Sequence, residues 1–160
     1  MERAVDSFWL DLTLHHPNCD PIAITQALGL QPWHSAKVGQ VFGPVTRKST
    51  VWMSYFREGI QNEEFAQALE DFMALLETQQ SFLISFIDDG GDILLTVNQS
   101  IASDDGILFS LQLESFFLET LGNYGVGLRI QAWSAETSES LKRDISEVER
   151  AKARLSPKSQ

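Results

Sequence analysis

A two-layer α+β sandwich is the fold this chain predicts, a mainly antiparallel sheet with helices on one face. Three observations lead there. Apolar and polar residues alternate over 8–14, 51–56, 93–97 and 126–132, the period of half-buried strands. Between them, Ile24 and Leu28, then Phe65, Leu69, Phe72 and Leu76, recur at helical spacing. Asp88-Asp89-Gly90-Gly91-Asp92 reads as a hairpin turn, because Asp-Gly and Gly-Gly tolerate positive φ, and a hairpin makes its strands antiparallel. The expected order is βαβαββαβ, a relative of the ferredoxin-like split βαβ arrangement.

The first strand, 5–14, points Phe8, Leu10, Leu12 and Leu14 one way and Ser7, Trp9, Asp11 and Thr13 the other. Asp20 caps the helix that follows. Pro21 sits at its first position, where a missing N–H costs nothing, and Gly29 ends it. Pro32, Gly39, Gly43 and Pro44 make 31–48 a long loop, and loops of that length are often functional. The second strand, 50–56, sets Val51, Met53 and Tyr55 against Trp52, Ser54 and Phe56. Asn62 is the expected cap of the next helix, with Glu63 and Glu64 near its positive end. Strands over 81–87 and 93–99 flank the hairpin turn. A helix from Ser103 to about Leu121, closed by Gly122, is apolar nearly all round and is expected to be deeply covered. The last strand is 126–133.

Residues 1–134 are expected to form one domain. The tail, 135–160, changes character: aromatics vanish, and Leu141, Ile145, Val148 and Leu155 sit among mixed charges. It reads as a polar helical or partly disordered segment. The net charge of −10 disfavours a nucleic-acid partner, whose recognition needs a basic face, and suits a basic protein partner. The single cysteine, Cys19, precludes an intrachain disulfide and fits a reducing compartment. No signal-peptide pattern opens the chain and no apolar run reaches membrane-span length. The expectation is a cytoplasmic protein with no membrane partner.

The chemical motifs are sparse. His15, His16, Cys19 and His34 lack zinc spacing, and Asp88, Asp89 and Asp92 provide too few ligands for calcium. Cys19 before a helix cap with His34 is a weak nucleophile–base pair. Gly125-x-Gly127 precedes a strand and is no dinucleotide fingerprint. No metal, cofactor or catalytic set is expected. What survives is the sheet face away from the helices. It would carry Trp9, Asp11 and Thr13, then Leu94, Thr96 and Asn98, then Arg129, Gln131 and Trp133. Tryptophans beside an arginine are typical interface anchors. Trp33, in the loop, would serve as a plug or as a contact. Three uses of this face stay open: a protein partner, a homodimer, or a cover made by the 31–48 loop or the C-terminal helix. The alternative is a small-molecule or peptide sensor with a pocket lined by Trp33 and Trp52.

Pro21-x-x-Ile24-Thr25-x-x-Leu28-Gly29-Leu30-x-Pro32 follows an alternating strand and precedes Lys37-x-Gly39. A tryptophan strand at Trp52, the Phe65–Leu76 helix and a helix-Gly-x-Tyr124 ending come next. Over residues 5–133 this resembles the bacterial family known as domain of unknown function 4279. The resemblance implies a soluble bacterial protein without a known reaction, of interaction or immunity type, and it carries over no catalytic residues.

Overall fold

A five-stranded sheet backs onto four helices. The computed structural model describes residues 7–101 and 112–134. In chain order the elements are β1 (Ser7–His16), α1 (Pro21–Leu28), β2 (His34–Ala36), β3 (Val41–Phe42), β4 (Val45–Thr46) and β5 (Thr50–Ile60). There follow α2 (Asn62–Thr78), α3 (Gln80–Asp88), β6 (Asp92–Ile101), α4 (Ser115–Asn123) and β7 (Val126–Ser134). The sheet runs β2-β5-β1-β6-β7, antiparallel throughout except between β6 and β7. The helices pack on one side, so the molecule is a two-layer α+β sandwich.

The alternation of β1 produces this layering. Leu10, Leu12 and Leu14 enter the core with Ile93, Leu95 and Val97 of β6. They meet Ile24 and Leu28 of α1, Phe65, Leu69, Phe72 and Leu76 of α2, Leu83 and Phe86 of α3, and Phe117 and Leu121 of α4. β5 ties down the connections with its inward polar groups. The Thr50 hydroxyl donates to the Cys19 carbonyl at 2.6 Å, and that of Ser54 to the Gln31 carbonyl at 2.7 Å. Between them Trp52, with no exposed surface, donates its indole N–H to Thr25 Oγ1 at 2.9 Å. A buried indole needs such a partner.

α1 forms as its sequence dictates. The Ile22 N–H donates to Asp20 Oδ1 at 2.9 Å, Pro21 opens the first turn, and Gly29 closes it at φ 66°. The Lys37 ammonium bridges to the same Asp20 at 2.8 Å. α2 begins one residue earlier than expected: its cap is Gln61, not Asn62. The Gln61-x-x-Glu64 spacing lets the Glu64 carboxylate accept the Gln61 N–H at 3.2 Å.

Three further expectations are corrected. Residues 81–87 are not a strand but most of α3, so the order βαβαββαβ does not hold. Phe82, Leu83, Phe86 and Ile87 lie on one helical face, with Leu83 and Phe86 buried while Ile84 is 47% exposed. The Asp88–Asp92 segment is consequently a helix exit rather than a hairpin turn, with Gly90 and Gly91 donating back to Ile87 and Phe86 carbonyls. The antiparallel character comes instead from β1, which pairs with both β5 and β6. Only β6–α4–β7 joins parallel neighbours by a crossover helix.

Second, α4 starts only at Ser115 and ends at Asn123, one residue past Gly122. It is amphipathic rather than deeply covered: Phe117 and Leu121 are buried at i, i+4, while Phe116 is 67% and Leu118 45% exposed. Of its expected first part, residues 112–114 are not helical, and 103–111, like the tail, lie outside the described residues. Third, the 31–48 loop contains structure. β2 extends the sheet at the β5 edge, and β3 and β4 form a separate hairpin around Gly43 at φ 56°, with Val41, Phe42 and Val45 exposed.

Candidate functional site

The strand register determines what lies on the face opposite the helices. Asp11 stands between Tyr55 of β5 and Thr96 of β6, and Thr96 stands beside Arg129 of β7. The next row is Trp9, Asn98 and Gln131, and the one beyond it Ser7, Ser100 and Trp133. Trp33, just before β2, donates its backbone N–H to the Met53 carbonyl at 2.9 Å. Its ring stacks on Tyr55 with centroids 5.7 Å apart. Trp9, Asp11, Trp33, Arg129, Gln131 and Trp133 therefore share one face of one sheet. Trp9 and Trp133 are half-buried, while Trp33 is 51% and Tyr55 40% exposed.

A hydrogen-bond chain crosses this face. The Trp133 indole donates to Asn98 Oδ1 at 3.3 Å, and the Asn98 amide donates to Asp11 Oδ2 at 2.9 Å. Asn98, 2% exposed, is thereby fixed in orientation and fixes the carboxylate in turn. Asp11 Oδ1 is shielded from solvent and has no donor.

The electrostatics follow from that geometry. Burial pushes the Asp11 carboxyl up to about 6. The Asn98 hydrogen bond opposes this, the charge of Glu58 adds to it, and the Trp9 indole pulls weakly downward. That indole makes no hydrogen bond to Oδ1, which stays unpartnered. Burial raises the Tyr55 phenol too, helped by the charges of Asp11 and Glu58. Irregularities in the β1–β5 register flank Leu10, where extra β5 residues bend the strand. In this stretch Arg57 reaches α2, bonding Asp71 at 3.2 Å with its guanidinium 4.4 Å from the Phe56 ring centroid. The nearest cation of β5 is thus committed to the helical layer. Among the described residues, the ion pairs are this one and Lys37–Asp20, and neither involves Asp11 or Glu58.

The other candidate residues fall elsewhere. His16 is buried, and its Nδ1 accepts the Cys19 N–H at 2.8 Å and the Asn18 N–H at 3.1 Å. His15 is exposed. Burial, then the negative charge of Asp20, raises the Cys19 thiol, the opposite of what a thiolate nucleophile requires. The sensor pocket between Trp33 and Trp52 does not form: Trp52 lies in the core on the helix side of β5, and Trp33 stacks on the other side. No group of three potential metal ligands occurs among the described residues, and no helix there is long and apolar enough to cross a membrane.

Sequence reasoning placed Asn98 on this face but missed it as the link between Asp11 and Trp133. It also missed Tyr55 as the β5 neighbour of Asp11. The β5 alternation put Tyr55 opposite the Trp52 side; only the register with β1 sets it against Asp11. No protein-family model matches the chain, and no curated protein or solved structure matches it.

Proposed function

We propose that the protein is a non-catalytic interaction module that binds another protein across the open sheet face. The carrying observation is the convergence of Trp9, Trp33, Tyr55 and Trp133 around one oriented carboxylate, Asp11. Aromatic side chains contribute much contact area at a small cost in side-chain entropy, and they form the centres of interfaces. The hydrogen-bond chain holds the polar groups in place before a partner arrives, which lowers the ordering cost of binding. The chain's net charge of −10 favours a basic partner at long range. We assign the protein to the bacterial cytoplasm, in keeping with its resemblance to an interaction or immunity-type family.

The test compares proteins retained from native cells by the wild type and by a Trp9→Ser, Trp133→Ser double variant, with circular dichroism as the fold check. An Ile84→Ser variant, altered at an exposed position of α3, serves as control. Species retained by wild type and control but lost from the double variant support the proposal. Identical retention by all three overturns it. Sedimentation of the purified protein identifies the case in which the partner is a second copy.

A further inference from the structure

We infer that two copies of the chain pair through the outer edge of β7, antiparallel and centred on Ile130, to form one continuous sheet. This edge is a different surface from the sheet face proposed to bind another protein.

An edge strand leaves alternate N–H and C=O groups without partners, and native sheets protect such edges with short strands, charges or bulges. The β2–β5 side is protected in this way. β2 is 3 residues long, and the β5 stretch beyond it carries Arg57, Glu58, register irregularities and Gly59 at φ 62°. β7 has none of these devices. It runs for 9 residues in unbroken register with β6, without proline and with Arg129 as its one charged side chain. Among the described residues, no strand pairs with its far side. Apolar surface lies beside this edge on the helix side. Ile130 shares that side with the buried Val126 yet is itself exposed. Phe116 and Leu118 of α4, both exposed, flank the buried Phe117–Leu121 stripe on its two sides, so one of them is turned toward the free edge.

The residue order of β7 fits its own reverse. Centred on Ile130, the middle of the strand, the pairing sets Ile130 against Ile130, Leu128 against Ala132, and Arg129 against the neutral Gln131 of the second copy. Gly127 falls opposite Trp133, an aromatic over a glycine that has no side chain to crowd it. Centring on Arg129 instead would set two arginines face to face, and like charges directly opposite are unfavourable. The two-fold axis through Ile130 stands perpendicular to the sheet. Both helical layers then share one side, with the two α4 helices flanking the axis, and the two open faces join on the other.

Sedimentation equilibrium of the full chain at micromolar concentrations should give twice the monomer mass. Ile130→Asp and Ile130→Lys place a charge at a position exposed enough to tolerate it. Each variant alone should dimerise about tenfold more weakly or worse, because like charges meet at the axis, and an equimolar mixture of the two should recover the dimer. Far-UV circular dichroism checks both folds. Hydrogen exchange on the wild type gives a reading that needs no variant: alternate β7 amides should gain protection as monomer gives way to dimer. A monomer at every concentration overturns the inference, as does a dimer undiminished by either charge. Protected β7 amides in a monomer would mean that the chain covers its own edge, which also overturns it. A dimer lost in Trp9→Ser but kept in Ile130→Asp forms through the sheet face; the contact face then stands and the edge pairing falls.

Discussion

Replacing Asp11 with Asn should stabilise the protein relative to wild type by an amount that grows as pH rises from 4 to 7. The carboxyl has an ordinary value of 3.8 and sits at about 6 in the fold. Between those values the folded state binds the proton that the unfolded state has released. The neutral carboxyl's contribution is therefore fully present below pH 3.8 and is lost as pH rises through 6. Above that point the fold holds a partly desolvated charge with one oxygen unpartnered. Taken at full strength, the gap corresponds to about 3 kcal/mol. Asp11 remains partly exposed, and solvent screening reduces this to about 1–2 kcal/mol. Urea unfolding followed by far-UV circular dichroism at pH 4, 5, 6 and 7 measures both proteins. The remaining carboxylates contribute alike to both, so the difference isolates Asp11. A difference that stays constant within about 0.3 kcal/mol over this range, or that shrinks toward pH 7, refutes the reasoning about burial.

Other consequences concern the frame that holds the face. Trp52→Phe removes the indole donor to Thr25 and leaves space in a fully buried site, so it should cost about 2–3 kcal/mol, read from the urea midpoint. Gly91→Ala should cost about 1–3 kcal/mol in the same assay. A Cβ there would collide with the Phe86 ring and lie 2.6 Å from its carbonyl oxygen. The raised Cys19 thiol should react with iodoacetamide at pH 7.5 more slowly than a cysteine in a short unstructured peptide, measured by mass spectrometry. A faster reaction would return Cys19 to the list of nucleophiles.

Where period and cap agreed, the sequence was legible. β1 and β5 alternate strictly enough to place their inward and outward residues, and Asp20, Pro21 and Gly29 mark α1 at both ends. That sufficed to put Trp9, Asp11, Arg129, Gln131 and Trp133 on one face. α3 was misread because Phe82-Leu83-Ile84 and Phe86-Ile87 form a short apolar stretch compatible with either period. The following Asp-Asp-Gly-Gly looks the same as a helix exit or a hairpin turn. α4 was overestimated because apolar composition was taken for burial, while its exposed Phe116 and Leu118 lie outside the i, i+4 stripe. The pairing of Asp11 with Tyr55 and of Asn98 with Trp133 depends on strand order and on register shifts in β1–β5, which single-strand alternation does not encode.

Photo-crosslinking from the two sides of the molecule tests the contact surface most directly. A benzoylphenylalanine placed at Trp33 stands on the sheet face; the same group at Ile84 stands on the helical layer. Irradiation in the native cell should yield a discrete protein adduct from position 33 and none from position 84. An adduct formed only from position 84 would move the binding surface to the helices and contradict the account.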